Sequence, residues 1–190
     1  MKLKGIVIRD LNMVYWYLPK TSCTTMKWYF ANHLGLVVPK RDGTDLDIHG
    51  QDIGFEFTED VIDGMYNWAY VRNPFDRISS LYSQKIHKNV DRKVFPDENI
   101  FYKGMPFEEF IDAIITIENK ERHYIPQSEM LDMGIYTHKM ENDLFLRMLK
   151  PRNVSEKLDV WTKETKHKAF KFYKNDFIRF GYHYQGYGKD

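Results

Sequence analysis

The sequence of 190 residues is 43% hydrophobic and 29% charged, which is enough to bury a sizeable core within one domain. Its 28 Lys and Arg against 27 Asp and Glu leave no overall field for nucleic acid, so an anion site has to be built locally. The one cysteine, Cys23, excludes an internal disulfide and a cysteine-based zinc site. No apolar run approaches the roughly 20 residues that span a bilayer, and no signal-peptide pattern is present. We therefore expect one soluble, cytoplasmic domain over residues 1–190; its oligomeric state is left open.

The first half of the chain predicts strands that are each followed by a helix. The main elements are buried strands over 12–18 and 65–71, a short strand over 46–50, and helices over 24–33 and 74–87. A short apolar stretch over 5–8 predicts an edge strand or a lead-in segment, and 55–63 predicts a short helix or an irregular segment. Gly35 is expected to end the first helix, and Asn73 and Pro74 to begin the second as its cap and first helical residue.

The second half continues the alternation of elements. Its predicted parts are a surface loop over 88–104, helices over 107–119, 141–150 and 162–174, a short strand over 134–137, and a Phe/Tyr-rich tail. We expect the tail to pack in the core rather than to stack on a ligand. Strands that alternate with helices predict an α/β domain with a mostly parallel central sheet flanked by helices.

The turn that joins the first buried strand to its helix has the composition of an anion-binding loop. It reads Leu18-Pro19-Lys20-Thr21-Ser22-Cys23-Thr24-Thr25 and places one lysine and four hydroxyl side chains at a helix N-terminus. The nucleotide-binding P-loop, G-x-x-x-x-G-K-[ST], shares only Lys20-Thr21, because neither glycine is present. The alternative is an ordinary strand–turn–helix junction in which the Thr and Ser residues have no function.

The second strand ends in Arg72, where a magnesium-dependent NTPase would carry an Asp. Arg72 lies at the carboxyl end of a buried strand, which is where open α/β sheets bind ligands. Ser80 follows eight residues later, about two turns into the next helix. A guanidinium and a hydroxyl at this spacing suit a phosphate group. A structural ion pair of Arg72 with Asp76 or another acid is the alternative.

Two stretches resemble a known family. Leu18 to Thr25 resembles the 5′-phosphosulfate loop of the sulfotransferases, and Tyr70 to Ser80 resembles their 3′-phosphate motif with the Arg-to-Ser spacing intact. The form Arg-Asn-Pro-Phe-Asp-Arg is closest to the Golgi-type carbohydrate sulfotransferases. Three further stretches are similar to that branch, namely Arg122 to Gln127, Lys139 to Asn142 and Tyr173 to Tyr182.

The resemblance implies a P-loop-like sulfotransferase fold and transfer of a sulfuryl group from 3′-phosphoadenosine-5′-phosphosulfate to an acceptor hydroxyl. It implies that Arg72 and Ser80 bind the 3′-phosphate and that Lys20 stabilises the leaving phosphate. The residues implied to bind the phosphosulfate are Pro19, Lys20, Thr21, Ser22, Cys23, Thr24 and Thr25. In-line transfer needs no metal and no covalent intermediate, so we do not expect Cys23 to act as a nucleophile. A carbohydrate is the expected acceptor, while a lipid-linked sugar, a small metabolite and a protein tyrosine remain open.

The acceptor hydroxyl also needs a general base, which the family usually places between the two donor motifs. His49 is the only histidine between residues 34 and 86, and its ordinary pKa of about 6.5 suits proton abstraction near neutral pH. Glu56 and Glu59 are alternative bases, and Asp47 or Asp52 are candidates to orient the imidazole. His123 either lines the acceptor cleft or packs in the structure.

Two questions stay open at this level. The basic segment Lys163 to Lys171 is either a solvated helix face or a flap over the donor, although it lacks the Arg-Lys-Gly sequence of related sulfotransferases. The alternative functions are a P-loop-type nucleotide kinase or NTPase, and a non-catalytic nucleotide-binding module of the same fold.

Overall fold

A computed structural model describes residues 3–38, 40–41, 44–45, 48, 53–87, 89–118, 120–149, 155–156 and 158–184. The chain divides into two compact units, Met1–Tyr70 with Met133–Val154, and Val71–Asp132 with Ser155–Asp190. The prediction of one domain over residues 1–190 stays a prediction. The α-helices are α1 (Cys23–His33), α2 (Pro74–Tyr82), α3 (Phe107–Thr116), α4 (Gln127–Met130), α5 (Leu144–Met148), α6 (Lys163–Phe172) and α7 (Lys174–Arg179).

A five-stranded sheet forms the centre of the first unit. Its strands are β1 (Gly5–Ile8), β2 (Met13–Trp16), β5 (Phe57–Thr58), β6 (Tyr66–Val71) and β7 (Tyr136–Lys139), in the order β5-β1-β2-β6-β7. Two short strands, β3 (Lys40–Arg41) and β4 (Thr44–Asp45), pair separately and antiparallel. The two buried strands that the sequence predicts are confirmed as β2 and β6.

The sheet is mixed, so a mostly parallel sheet is not confirmed. β2 and β6 are parallel neighbours with Tyr15 opposite Trp68, but β1 pairs antiparallel with both β2 and β5. The cause is the connection between β1 and β2, a 3-10 turn over Arg9–Leu11 followed by Asn12 in the left-handed region at φ 50°. A connection this short cannot make the crossover that a parallel pair requires. β1 is also an internal strand rather than an edge strand.

Close packing explains the glycine that begins β1. A Cβ at Gly5 would lie 2.5 Å from Val14 Cγ1 and 3.2 Å from the Trp16 ring. Gly5 and Trp16 are opposite each other in the β1–β2 ladder, and Val14 with the Trp16 indole occupies the space that a side chain would need.

The first helix covers the sheet and ends as predicted. Met26 and Phe30 of α1 pack in one buried cluster with Tyr15 and Trp68. Gly35 adopts φ 65° after the helix, and its N–H donates to Asn32 O while the Leu36 N–H donates to Ala31 O. These are the two bonds of a Schellman motif.

Three other predictions for the first unit have different outcomes. The region 55–63 contains only the two-residue strand β5 and is otherwise irregular. The predicted strand over 46–50 lies outside the described residues except for Ile48, a buried turn residue. The predicted helix over 141–150 is a 3-10 turn, Met140–Asn142, and then α5, because Asp143 accepts a hydrogen bond from the Leu146 N–H and caps a new helix.

The second unit is helical. α2 continues as a π-helical turn over Ser83–His87, so the predicted helix over 74–87 is confirmed in extent. Asn73 caps it by accepting from the Phe75 N–H at 2.9 Å, with Pro74 at the first helical position. α4 and α7 were not predicted, because four and six residues are too few to show a helical period. The tail is core as expected, with Phe177 and Phe180 buried.

Candidate active site

The loop between β2 and α1 holds two residues in the left-handed region. Lys20 has φ 69° and Ser22 has φ 62°, although both carry a Cβ. Between them Thr21 is fully buried, and its hydroxyl donates to Leu18 O at 3.0 Å. Residues in the left-handed region can turn neighbouring N–H groups toward one concave spot, as in the anion-binding nests of other proteins. Proteins keep such conformations in non-glycine residues where the surrounding structure enforces them.

The loop leads directly into the N-terminus of an 11-residue helix. The first intrahelical hydrogen bond runs from the Met26 N–H to Ser22 O at 3.0 Å, so the amides of Cys23, Thr24 and Thr25 precede it. Within the described residues the Ser22 side chain makes no capping hydrogen bond; its hydroxyl lies 4.0 Å from Met140 Sδ. A helix N-terminus carries about half a positive charge and favours an anion. The half-buried Lys20 is therefore in a setting suited to a phosphate or sulfate.

A buried phenol lies close to the start of α1. Tyr15 is fully buried, and its hydroxyl has no hydrogen-bond partner among the described residues. Burial raises the pKa of Tyr15 well above its usual value, and the neighbouring Cys23 and Tyr70 raise it further. Tyr15 therefore keeps its proton, and the side chain near Cys23 at the start of α1 is a neutral phenol.

Arg72 and Ser80 belong to the second unit. Arg72 directly follows β6 and is half-buried, while Ser80 lies in α2 and is 5% exposed. The Ser80 hydroxyl accepts a hydrogen bond from the Ser155 hydroxyl at 2.9 Å. The neighbouring Ser79 hydroxyl accepts from Trp161 Nε1 at 2.6 Å. The segment that contacts this part of α2 is therefore the one that precedes α6.

The basic helix α6 has a clear structural role. Lys168 Nζ lies 2.9 Å from Asp112 Oδ1 on α3, 3.3 Å from Glu164 and 3.5 Å from Glu108. These carboxylates raise the pKa of Lys168 above its usual value, the Asp112 hydrogen bond most of all. Lys168 thus connects α6 to α3. A flap formed by Lys163 to Lys171 stays a prediction.

The candidate general bases predicted from the sequence differ in what the structure describes of them. His49, with Asp47 and Asp52, lies outside the described residues, so its role stays a prediction. Glu56 forms a two-point ion pair with Arg9, one contact being Arg9 Nε to Oε2 at 2.7 Å. The Glu56 carboxylate is thus held by Arg9, and its role as an alternative base stays a prediction.

His123 is held in a fixed position in the second unit. Its Nδ1 lies 2.5 Å from Glu121 Oε2, and its backbone N–H donates to the same oxygen. Burial lowers the pKa of His123, while the Glu121 carboxylate opposes that shift. Both roles considered for His123, lining the acceptor cleft and packing, stay predictions.

Three buried residues of the second unit were not singled out from the sequence. They are Arg77, Gln127 and Asp176, each fully buried. Gln127 pairs with the backbone of Arg72, and Asp176 pairs with Gln127. All three fall in stretches that resemble the carbohydrate branch of the sulfotransferases, and this resemblance is the sequence feature that could have identified them.

Within the described ranges, no group of three or more His, Cys, Asp or Glu residues could hold a metal ion. In the same ranges no helix has the length and apolar character to cross a membrane. A metal-free reaction and a cytoplasmic location stay predictions.

The structure keeps the predicted site residues in two groups. Pro19 to Thr25 belong to the first unit, whereas Arg72 and Ser80 belong to the second. The first group follows β2 and the second follows β6, and these strands are parallel neighbours in the sheet.

A family model described as Sulfotransferase family matches residues 5–149. The match covers more than half of the 190 residues and includes both predicted donor motifs. The chain therefore belongs to the sulfotransferase family. No curated protein and no solved structure matches it. The Golgi-type carbohydrate branch and a P-loop-like fold stay predictions.

Proposed function

We propose that this protein transfers a sulfuryl group from 3′-phosphoadenosine-5′-phosphosulfate to a hydroxyl group of a carbohydrate. The observation that carries the proposal is the loop Leu18–Ser22, with Lys20 and Ser22 in the left-handed region at the head of α1. Membership of the sulfotransferase family supports sulfuryl transfer in general, and that family generally uses this donor.

We assign a separate set of residues to each end of the donor, and each set belongs to a single unit. Pro19 to Thr25 would bind the phosphosulfate through backbone amides, the helix N-terminus and the Lys20 ammonium. Arg72 and Ser80 would bind the 3′-phosphate through a guanidinium fork and a hydroxyl. This assignment requires no metal ion, because protein groups supply the positive charge.

Lys20 would contribute most when the bond to sulfur breaks. In an in-line transfer the acceptor oxygen forms a bond to sulfur as the bond from sulfur to the donor phosphate breaks. Negative charge grows on the leaving phosphate, and Lys20 with the α1 amides would stabilise it. The acceptor proton would pass to a base, for which we propose His49. The second product is 3′,5′-adenosine bisphosphate.

The test measures transfer from labelled donor to a panel of carbohydrate acceptors. We expect Lys20→Met to lower kcat by about 10²- to 10³-fold, as does loss of one group that stabilises a developing anion. Lys103→Met removes an exposed lysine from a turn in the second unit and serves as the matched control. His49→Ala should also abolish turnover while it leaves donor affinity nearly unchanged; a fully active variant would exclude His49 as the base.

The same protein samples separate the alternatives. Binding of 3′,5′-adenosine bisphosphate without transfer to any acceptor would indicate a non-catalytic module. Magnesium-dependent binding of ATP, with no binding of the bisphosphate, would indicate a nucleotide kinase or NTPase instead.

A further inference from the structure

Arg72 has its backbone fixed by a side chain rather than by another strand. Its N–H donates to Gln127 Oε1 at 2.9 Å, and its carbonyl accepts from Gln127 Nε2 at 2.8 Å. The carboxamide thus pairs with one residue through both a donor and an acceptor, as a residue of a neighbouring strand would. This pairing comes directly after the last residue of β6.

Gln127 is itself held by a buried carboxylate. Asp176 Oδ2 accepts from the Gln127 N–H at 2.8 Å and from Gln127 Nε2 at 3.2 Å, and Asp176 Oδ1 accepts from the Ser128 N–H at 2.7 Å. Pro126 precedes α4 and makes no side-chain cap, so Asp176 provides the cap from another helix. Gln127 and Asp176 are both fully buried, and a polar group that loses its partner there is costly.

The residues before Gln127 are fixed in the same way. Arg77 of α2 donates to Ile125 O and to Arg122 O, both at 2.8 Å. The Tyr173 hydroxyl donates to Tyr124 O. Three distant stretches of sequence therefore form one buried network, and this network ends at the backbone of Arg72.

We propose that Gln127, held by Asp176, is a positioning residue that aims Arg72 at the 3′-phosphate of the donor nucleotide. The inference rests on the proposed function, because that function supplies the 3′-phosphate. A fixed backbone fixes the direction of the Arg72 Cα–Cβ bond, and so the region that its guanidinium can reach. Pre-ordering of a charged group lowers the cost of ordering it when the ligand binds. Gln127 would therefore determine how strongly the protein prefers nucleotides that carry a 3′-phosphate.

Substitutions at Gln127 and Asp176 change the hydrogen bonds of the Gln127 side chain in different ways. Gln127→Glu keeps the shape but removes the N–H₂ donor, so a carboxylate would face Arg72 O and Asp176, which are both acceptors. Gln127→Met keeps most of the volume and removes both hydrogen bonds to Arg72. Asp176→Asn leaves Gln127 in place and removes the charge that holds it.

The experiment compares the affinity for 3′,5′-adenosine bisphosphate with that for adenosine 5′-monophosphate by calorimetry. The ratio of the two dissociation constants isolates the 3′-phosphate, which we expect to give the wild-type protein a preference of roughly ten- to hundred-fold. Gln127→Glu and Gln127→Met should lose most of this ratio, and Asp176→Asn part of it. Hydrogen exchange at the Arg72 amide should become faster in the two Gln127 variants.

The matched control is Tyr82→Phe, which removes another buried hydrogen bond of the same unit, from the Tyr82 hydroxyl to Met105 O at 2.7 Å. It should lower stability without changing the ratio. If Gln127→Met fails to fold, Gln127→Glu and Asp176→Asn make the same comparison. Folded variants that keep the wild-type ratio would overturn the role of Gln127 and leave the proposed function intact. A wild-type protein that binds neither nucleotide, or both equally, would overturn the donor assignment and this role together.

Discussion

At the scale of single residues, the loop before α1 concentrates backbone strain at Lys20 and Ser22. A non-glycine residue in the left-handed region costs about 1–2 kcal/mol. Glycine would avoid that cost, and the P-loop sequence has glycine in its turn. The neighbouring Thr21 is fully buried and bonded to Leu18 O, so the packing around it enforces the conformation. This local cost falls on Lys20, the residue that we propose to stabilise the leaving phosphate.

Tyr15 offers a test at the same scale. Its buried hydroxyl has no partner among the described residues, so Tyr15→Phe removes an unsatisfied polar group. We expect the free energy of unfolding to rise by about 1 kcal/mol, measured by urea denaturation. Tyr82→Phe removes a paired hydroxyl from another buried position and should lower that free energy by about 1 kcal/mol. A clear loss of stability in Tyr15→Phe would mean that its hydroxyl has a partner, for example a buried water.

At the scale of elements, α6 is stabilised by the cap at its start and by its contact with α3. Few apolar residues face the core, with Ala169 buried. At its start Thr162 and Thr165 form a capping box, in which the Thr162 hydroxyl accepts from the Thr165 N–H at 3.1 Å and the Thr165 hydroxyl accepts from the Thr162 N–H at 2.9 Å. Lys168 connects the helix to Asp112 of α3.

Removal of the cap should have a measurable cost. Thr162→Ala leaves the Thr165 N–H without its acceptor, and we expect a loss of about 1 kcal/mol in the free energy of unfolding. Thr162→Ser keeps the hydroxyl and should retain most of the stability. Equal denaturation midpoints for Thr162→Ala and the wild-type protein would show that the capping box does not stabilise α6.

At the scale of the whole molecule, the half-buried pair of His123 and Glu121 should make stability depend on pH. Burial lowers the pKa of His123 below its usual value of 6.5. In Glu121 burial raises the pKa, but the hydrogen bonds from His123 and the nearby charges of His123 and Arg122 together outweigh burial, and the pKa falls below 4.5. The folded protein therefore favours a neutral imidazole beside a carboxylate.

The sign of the effect follows from proton uptake. As the pH falls through 6.5, the unfolded chain protonates His123 while the folded protein resists, so stability decreases. A second decrease in stability begins near pH 4.5, where Glu121 is protonated in the unfolded chain before it is protonated in the folded protein. We expect urea denaturation between about pH 7 and pH 5 to show this first loss, and His123→Gln to weaken the pH dependence. If the stability of His123→Gln depends on pH as strongly as that of the wild-type protein, groups other than His123 cause the loss of stability.

Much of the fold could be predicted because its signals are local. The helix over 74–87 follows from Asn73 as cap and Pro74 at the first position, and the end of α1 follows from Gly35. The mixed sheet could not be predicted in the same way. An apolar run predicts a strand, but it does not say which strand pairs with it or in which direction.

The sequence by itself determined the family of this protein and the position of the loop around Lys20, because a strand, a turn and a helix start are set by residues next to one another. The tertiary structure alone decided how Arg72 is held. Its partner Gln127 is 55 residues away, and Asp176 is a further 49 residues along the chain. Those contacts arise from burial: once Gln127 and Asp176 are removed from water, their polar groups must pair with whatever the fold brings beside them.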